Sequence, residues 1–98
     1  MIEIKWKDGL ILPHDPNASD IYRWNWLDWL DGETISGTSV LAADTGITAS
    51  IVTQGTTYTD VRISGGALGK TYTVANRVTS ASNARIQDRS VSFVVQSR

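Results

Sequence analysis

The side chains that could carry acid–base chemistry are few in this sequence. His14 is its only histidine and lies between Pro13 and Pro16. A histidine that acts as a general base needs a fixed nucleophile and an orienting carboxylate within hydrogen-bond reach. Asp15 is adjacent in sequence, but successive side chains of an extended segment point in opposite directions. We therefore expect His14 to be a solvated linker residue without a catalytic role.

Three acidic residues lie close together around Gly32, namely Asp28, Asp31 and Glu33. Paired carboxylates can hydrolyse glycosides, and clustered ones can bind Ca²⁺. The segment lacks the alternating oxygen ligands of an EF-hand loop, and no second acidic cluster follows nearby in the sequence. The pattern favours a turn with a solvated acidic rim.

Other signatures of catalysis and cofactor binding are absent from the sequence. It has no cysteine and no Gly-x-Ser-x-Gly nucleophile motif. The glycine-rich stretch 65–69 lacks the Gly-Lys-Ser/Thr ending of a phosphate-binding loop and is typical of a turn. We therefore predict a protein that is not an enzyme, with no cofactor and no metal site.

Four tryptophans fall early in the chain, at Trp6, Trp24, Trp26 and Trp29. Exposed tryptophans could stack on sugar rings or anchor a protein interface, whereas buried ones would fill a core. Trp24 and Trp26 share one face of a predicted strand, which favours core packing for both, with Trp29 closing the end. Trp6 lies apart from them, and we predict that it anchors the chain against another protein or against its own domain.

The elements that must position these side chains are short β-strands. Alternating apolar residues predict a strand over 22–26 that ends in one helical turn, followed by strands over 34–42, 47–53, 58–64, 70–79 and 90–96. Glycine, serine and asparagine separate these segments, whose starts recur at intervals of roughly 10–15 residues. This spacing indicates a sandwich or barrel and argues against β-α-β units.

Tyr72 refines the fold prediction. It lies near the start of the strand predicted over 70–79, directly after the glycine-rich turn. In immunoglobulin-like sandwiches a tyrosine at this position often hydrogen-bonds through its hydroxyl to the preceding corner of the backbone. We therefore predict an all-β, immunoglobulin-like antiparallel β-sandwich of about six to seven strands. Its structural residues are predicted to be Trp24, Trp26, Trp29 and Tyr72.

Residues 1–16 are predicted to form an extended N-terminal arm that precedes a sandwich domain over 17–98. Apolar and charged residues alternate at its start, Asp8-Gly9 marks a turn, and two prolines follow. The arm could fold back as an edge hairpin or add a strand to a neighbouring chain. We predict that the arm binds a partner through its apolar residues, which are Ile2, Ile4, Trp6, Leu10 and Leu12.

The net charge of −1 conceals an uneven distribution. Residues 1–46 carry eight acidic and three basic residues, whereas residues 47–98 carry two acidic and six basic ones. Such an asymmetry could provide electrostatic complementarity between copies or with a charged partner. A sandwich interleaves strands from both halves, however, so we expect the charges to mix on folding. Because the basic residues are thinly spread, we predict no nucleic-acid partner. Because no long apolar run occurs, we predict no membrane partner. The N-terminal residues also lack the pattern of a signal peptide.

Several segments resemble a family of small proteins from tailed bacteriophages and prophages. These are described as fibre–tail adaptors or head–tail-associated virion proteins with an Ig-like fold. The resemblance extends over residues 15–95, whereas the N-terminal arm matches less well. The matching positions are Asp15 and Pro16; Trp26, Trp29, Leu30, Gly32, Thr34 and Ile35; Val61 to Thr79; and Arg89 with Phe93 to Val95.

The resemblance implies a structural virion protein, assembled in the cytoplasm of the bacterial host and present in several copies. It implies docking onto portal, connector, tail or fibre proteins and onto copies of the chain itself. If the arm adds a strand to such a neighbour, deletion of residues 1–12 would leave the domain folded but abolish its incorporation into particles. One alternative within the same structural class is a capsid decoration (cement) protein that clamps neighbouring capsomers. An alternative of another class is a carbohydrate-binding module that uses Trp24 or Trp29 as a sugar platform.

Overall fold

The chain folds as two four-stranded β-sheets that pack face to face. A computed structural model describes residues 1–97, so Arg98, the last residue of the predicted domain, lies outside the described residues. The sandwich confirms the predicted all-β, immunoglobulin-like fold class. In chain order the elements are β1 (Ile2–Ile4), β2 (Ile11–His14), β3 (Ser19–Asn25), α1 (Leu27–Leu30), β4 (Val40–Ala43), β5 (Ile47–Gln54), β6 (Tyr58–Gly65), β7 (Thr71–Thr79) and β8 (Ile86–Val95).

The two sheets have the strand orders β1-β3-β6-β5 and β2-β8-β7-β4. Neighbouring strands are antiparallel except at one edge of each sheet, where β1 runs parallel to β3 and β2 runs parallel to β8. The segment predicted as an arm therefore supplies an edge strand to each sheet and does not form a hairpin of its own. These two strands bring the described total to eight, above the predicted six to seven.

The core lies between the sheets and follows from the period-two alternation of the strands. On β7 every second residue from Tyr72 to Val78 is buried, and on β8 Val91, Phe93 and Val95 are buried in the same way. Full burial of a large apolar side chain stabilises a fold by roughly 1.5–3 kcal/mol. The largest fully buried side chains are Trp24, Trp26, Tyr22, Phe93 and Leu30.

Helix α1 is the single helical turn that the sequence predicts after β3. The Leu30 amide donates a hydrogen bond of 3.0 Å to the Trp26 carbonyl, which closes the turn. Asp31 and Gly32 then adopt left-handed backbone angles, with φ of 50° and 88°. Such a reversal ends a helix, and glycine accepts it without a side-chain clash. Within the described residues, no helix is long and apolar enough to cross a membrane.

Two strands begin four or more residues away from their predicted start. The strand predicted over 34–42 is reduced to Val40–Ala43, while Ile35 forms an isolated bridge outside it. Gly37, between them, has a φ of 63°, which interrupts the extended backbone. Strand β8 begins at Ile86, before the predicted start at residue 90, because its first residues continue the ladder with β7, with Ile86 opposite Thr79.

Candidate partner-binding surfaces

A buried polar network fixes the tryptophan-rich end of the core. Trp26 Nε1 donates a 2.9 Å hydrogen bond to Asn76 Oδ1, and Asn76 Nδ2 donates one of 2.9 Å to Ser39 Oγ. Ser39 Oγ also lies 2.8 Å from Gln54 Oε1 and 3.2 Å from Thr59 Oγ1. A buried polar group left unpaired would cost about 1–3 kcal/mol, so these bonds hold the two sheets in one relative position. The role of this network is structural.

Arg89 is the most unusual polar residue of the core, because its guanidinium lies over the rings of two tryptophans. Its side chain is 10% exposed. The guanidinium carbon lies 4.9 Å from the ring centroid of Trp6 and 4.7 Å from that of Trp26. Its nitrogens donate to both carboxylate oxygens of Asp28, at 3.2 and 3.1 Å, and to the Asn25 carbonyl. The planar cation therefore joins β8 to the end of β3 and to the N-terminal segment.

Asp28 is the exposed partner of this buried cation. Its side chain is 74% exposed, yet the hydrogen bonds from Arg89 hold the pKa of the carboxyl below its ordinary value. The indoles of two tryptophans fix the same region, since Trp24 Nε1 donates to the Arg89 carbonyl and Trp6 Nε1 to the Ser90 carbonyl. The geometry is that of a rigid clamp, and it supplies no nucleophile beside a base.

A groove of about 560 Å³ opens beside this clamp. We call it the β1 groove. It combines an apolar floor, which includes Ile4 and Trp6, with the exposed Leu27 and with both signs of charge at its rim. Such a surface suits protein contacts, in which an apolar centre is ringed by polar groups. The residues that line it are Glu3, Ile4, Lys5, Trp6, Lys7, Asn25, Leu27, Asp28 and Arg89.

The structure places most of the predicted partner-binding residues against the domain's own core. Ile4 is 5% exposed, and Trp6, Leu10 and Leu12 are half-buried and pack on the core cluster. Ile2 is 40% exposed and is the most accessible of the five. Ile4 and Trp6 line the β1 groove, so a partner in that groove would touch them at its base.

The acidic cluster differs from the predicted solvated rim. Asp28 remains exposed, but the Glu33 side chain is only 13% exposed and lies 2.6 Å from Arg85 Nη2. Hydrogen bonds from Arg85 lower the pKa of Glu33. Arg85 also covers the ring of Trp29 at 4.4 Å and donates to the carbonyls at the end of α1. The prediction is wrong for Glu33 because Arg85, which directly precedes β8 and is remote in sequence, packs on the same turn. The described residues contain no cluster suited to a metal ion.

His14 is fully buried, so the prediction of a solvated linker histidine is wrong. The reason is the parallel pairing of β2 with β8, which aligns His14 with Val95 and turns its side chain inward. Its ring meets that of Phe93 edge to face, with centroids 6.4 Å apart. The burial gives His14 a place in the core, away from the β1 groove.

Tyr72 joins the glycine-rich turn to the core. The Ala67 amide donates a 2.9 Å hydrogen bond to the Tyr72 hydroxyl, which is the contact expected of a tyrosine corner. Two glycines make room for the ring. A Cβ at Gly46 would lie 2.8 Å from Tyr72 Cε1, and a Cβ at Gly66 would lie 2.6 Å from Val95 Cγ2. A side chain at Gly46 would therefore clash with the Tyr72 ring and one at Gly66 with Val95, and both glycines have a positive φ that other residues rarely adopt.

The charges of the two sequence halves mix on folding, as expected. Three ion pairs join an acid or base of the first half to its counterpart in the second, including the Arg23–Asp60 pair at 2.7 Å. The other two are Asp28–Arg89 and Glu33–Arg85. Charged residues of the two halves therefore meet in the folded chain.

A second surface is defined by its lack of charge. Residues 34–59 carry one charged side chain, that of Asp44, and they include β4 and β5. These strands are the terminal strands of their sheets at the side opposite β1 and β2. Val40 is 60% exposed and Val52 45% exposed. We call β4 and β5 the uncharged flank, and Asp44 lies in the turn between them. None of the residues predicted from the sequence to bind a partner lies on this surface, although the stretch with a single charge is visible in the sequence.

The comparison with known families is consistent with the sequence resemblance. Residues 14–94 match the family described as podophage GP4 fiber-tail adaptor protein gp77. No curated protein matches the chain, and no solved structure does. The match begins at the last residue of β2 and extends almost to the end of β8, so it covers three strands of each sheet and most of the chain. The chain therefore belongs to the podophage GP4 fiber-tail adaptor protein gp77 family.

Proposed function

We propose that the protein is a non-enzymatic virion component that connects a tail protein to a fibre protein by protein contacts alone. The family to which it belongs is one of fibre–tail adaptors, and this observation carries the proposal. The fold adds support, because a sandwich clamped by ion pairs and a buried polar network presents its surfaces rigidly. Rigid presentation lowers the entropy that a partner must lose on binding.

An adaptor needs at least two separate contact surfaces, and the molecule offers two that differ in chemistry. The β1 groove lies at one side of the sandwich, with aromatic, apolar and charged groups together. The uncharged flank lies at the other side. We assign the β1 groove to a virion protein of another kind and the uncharged flank to contacts between copies. Surfaces with unlike chemistry favour unlike partners, which reduces wrong pairing during assembly.

The β1 groove suits an extended segment of a tail or fibre protein. Lys5 and Lys7 are exposed at its rim and Leu27 projects beside it, 60% exposed. A segment with an apolar side chain next to acidic ones would place the apolar group on Leu27 and Trp6 and its carboxylates near the lysines. Arg89 is already paired with Asp28, so it shapes the floor and leaves the lysines to meet the partner.

The experiment that tests this function is incorporation into particles. The chain carries two exposed leucines of equal accessibility, Leu27 in the β1 groove and Leu68 in the glycine-rich turn. Leu27→Glu is expected to reduce the amount of the chain in purified particles, because it places a carboxylate in the apolar centre of the contact. Leu68→Glu is the matched control and is expected to leave incorporation unchanged.

Quantitative mass spectrometry of the particles gives the readout. A copy number near that of the portal protein supports an adaptor, whereas one near that of the major capsid protein supports the alternative of capsid decoration. Equal loss of both leucine variants would argue against the β1 groove, and complete absence of the wild-type chain from particles would overturn the virion role.

A carbohydrate-binding role has little support in the structure. Trp24 and Trp26 are fully buried, and the half-buried rings of Trp6 and Trp29 each have an arginine guanidinium over one face. A sugar platform needs an accessible aromatic face. The tryptophans of this chain instead contribute core packing and cation–π contacts.

A further inference from the structure

Strand β5 is the longest of the four terminal strands of the sandwich. Its outer edge has little protection against pairing with another chain. Edge strands expose a row of backbone N–H and C=O groups that can pair with another chain, and proteins guard them with charges, proline or short length. Strand β5 has eight residues, Ile-Thr-Ala-Ser-Ile-Val-Thr-Gln, without a charge or a proline. A bulge interrupts its ladder with β6 between Ile51 and Thr53, so the regular stretch is Ile47–Ile51.

We propose that the outer edge of β5 pairs with the same edge of a second copy of this chain, antiparallel about a two-fold axis. This inference rests on the proposed function, since it names the surface for contacts between copies. A two-fold interface brings each patch against itself, so the patch must be self-complementary. Like charges directly opposite each other destabilise a strand pair. Because β5 carries no charge, self-pairing brings no like charges together.

The regular stretch fixes the register of this pairing. Centring the two-fold axis on Ala49 places Thr48 opposite Ser50 of the second copy. Both side chains are exposed on the outer face of the sheet, where paired hydroxyls can hydrogen-bond across strands. On the inner face Ile47 comes opposite Ile51 of the second copy, and both are apolar residues turned toward the core. The pairing joins two four-stranded sheets into one of eight strands and extends the apolar layer beneath it.

The first test is the mass of the purified chain by sedimentation velocity over a wide concentration range. We expect the wild type to show a concentration-dependent dimer. The double variant Thr48→Lys with Ser50→Lys places lysines opposite each other twice in the proposed register, and we expect it to dimerise about tenfold more weakly or worse. Both positions are exposed, so the fold is retained, and circular dichroism with thermal unfolding verifies it.

A matched control carries the same added charge at the opposite side of the sandwich. Ile2→Lys with Ile11→Lys alters two exposed residues of β1 and β2, and we expect it to dimerise as the wild type does. A wild type that stays monomeric at the highest concentration overturns the proposal. Dimerisation of the Thr48→Lys, Ser50→Lys variant at wild-type strength also overturns it.

A variant with opposite charges at positions 48 and 50 tests the register of the proposed strand pair independently of any loss of folding. The variant Thr48→Glu with Ser50→Lys sets Glu opposite Lys twice if position 48 faces position 50, and we expect it to dimerise at least as tightly as the wild type. Weaker dimerisation overturns the register centred on Ala49. Self-association is measured in the purified chain and virion incorporation in particles, so failure of one is separable from failure of the other. A chain that dimerises in solution but is absent from particles would contradict the virion role and leave the β5 pairing intact.

Discussion

The terminal strands at the two sides of the sandwich differ in how well their unpaired backbone groups are protected. At one side β1 and β2 are three and four residues long, β1 contains Glu3 and β2 contains Pro13. At the other side β5 has eight residues and neither a charge nor a proline, and β4 is likewise uncharged. Short length, charge and proline are the means by which edge strands avoid pairing with other chains. The side with β1 and β2 is therefore protected, whereas the uncharged flank is open to pairing.

The same comparison separates residues that fold the domain from residues that can bind. Apolar side chains of the β1–β2 segment, such as Ile4 and Leu12, are directed into the core cluster. Apolar side chains of the uncharged flank, such as Val40 and Val52, remain exposed. Apolar character in an N-terminal segment is thus a weak guide to an interface. An uncharged terminal strand is a better one, because it combines free backbone groups with little desolvation cost.

The largest expected effect comes from removing residues 1–12. This deletion takes away β1 and half of β2 and uncovers the core beside Trp24 and Phe93. Loss of several buried apolar side chains costs more than about 5 kcal/mol, which is comparable with the whole stability of a small domain. We expect the truncated chain to lose its cooperative thermal transition by circular dichroism. If it melts cooperatively near the wild-type temperature, the segment is an independent arm, as the sequence alone predicts.

The next largest difference in stability is expected between glycine-to-alanine substitutions in the turns at the two sides of the sandwich. Gly46 connects β4 to β5 with a φ of 110°, and a Cβ there would lie 2.8 Å from Tyr72 Cε1. Gly9 lies between β1 and β2 with a φ of 75°, and a Cβ there would have open space around it. Gly46→Ala is expected to cost about 2–4 kcal/mol in the free energy of unfolding by clash and backbone strain, against about 1 kcal/mol for Gly9→Ala. Urea denaturation measures both, and equal costs would show that Tyr72 moves aside freely.

Much of the fold could be predicted from the sequence because period-two alternation is a local signal. The strands that include Val61, Val74 and Phe93 were found in this way, and so was the turn of helix after β3. The segment before residue 16 was harder to predict. Parallel pairing of β1 and β2 with strands distant in sequence leaves no local trace, so the burial of His14 could not be seen.

The candidate surfaces were less predictable than the fold, for a similar reason. Arg89 has the same parity as Val91 and Phe93, so the alternation of β8 does place it on the inner face. Its partner Asp28 and its stacking on Trp6 join three segments far apart in sequence, and no spacing rule connects them. The uncharged flank is different, since one charge within residues 34–59 is readable from composition alone.

A moderate effect on stability is expected from removing the ion pair between Asp28 and Arg89, at the side of β1 and β2. Hydrogen bonds from Arg89 lower the pKa of Asp28 in the folded chain, so the pair contributes stability above the unfolded carboxyl pKa of about 4. That contribution is lost as the pH falls through the lower, folded pKa. Asp28→Asn is expected to cost at most about 1 kcal/mol at neutral pH, because the carboxyl is largely exposed, and to flatten the loss of stability in acid. Thermal unfolding from neutral to acid pH tests this, and an unchanged acid profile would contradict it.

The smallest expected effect is the response of the wild-type dimer to salt. At moderate ionic strength, salt screens the interactions of exposed charges over a distance of about 10 Å. Strand β5 carries no charge whose interactions could be screened. We expect the dimer dissociation constant of the wild type to change less than about twofold between low and high sodium chloride. The Thr48→Glu, Ser50→Lys variant is the matched comparison, because its dimer would gain cross-strand ion pairs and should weaken measurably as salt is added. A wild-type dimer that dissociates in salt as that variant does would mean that charged residues outside the uncharged flank carry the contact. The interface would then have to be sought nearer the β1 groove, where Lys5, Lys7 and Glu3 are placed.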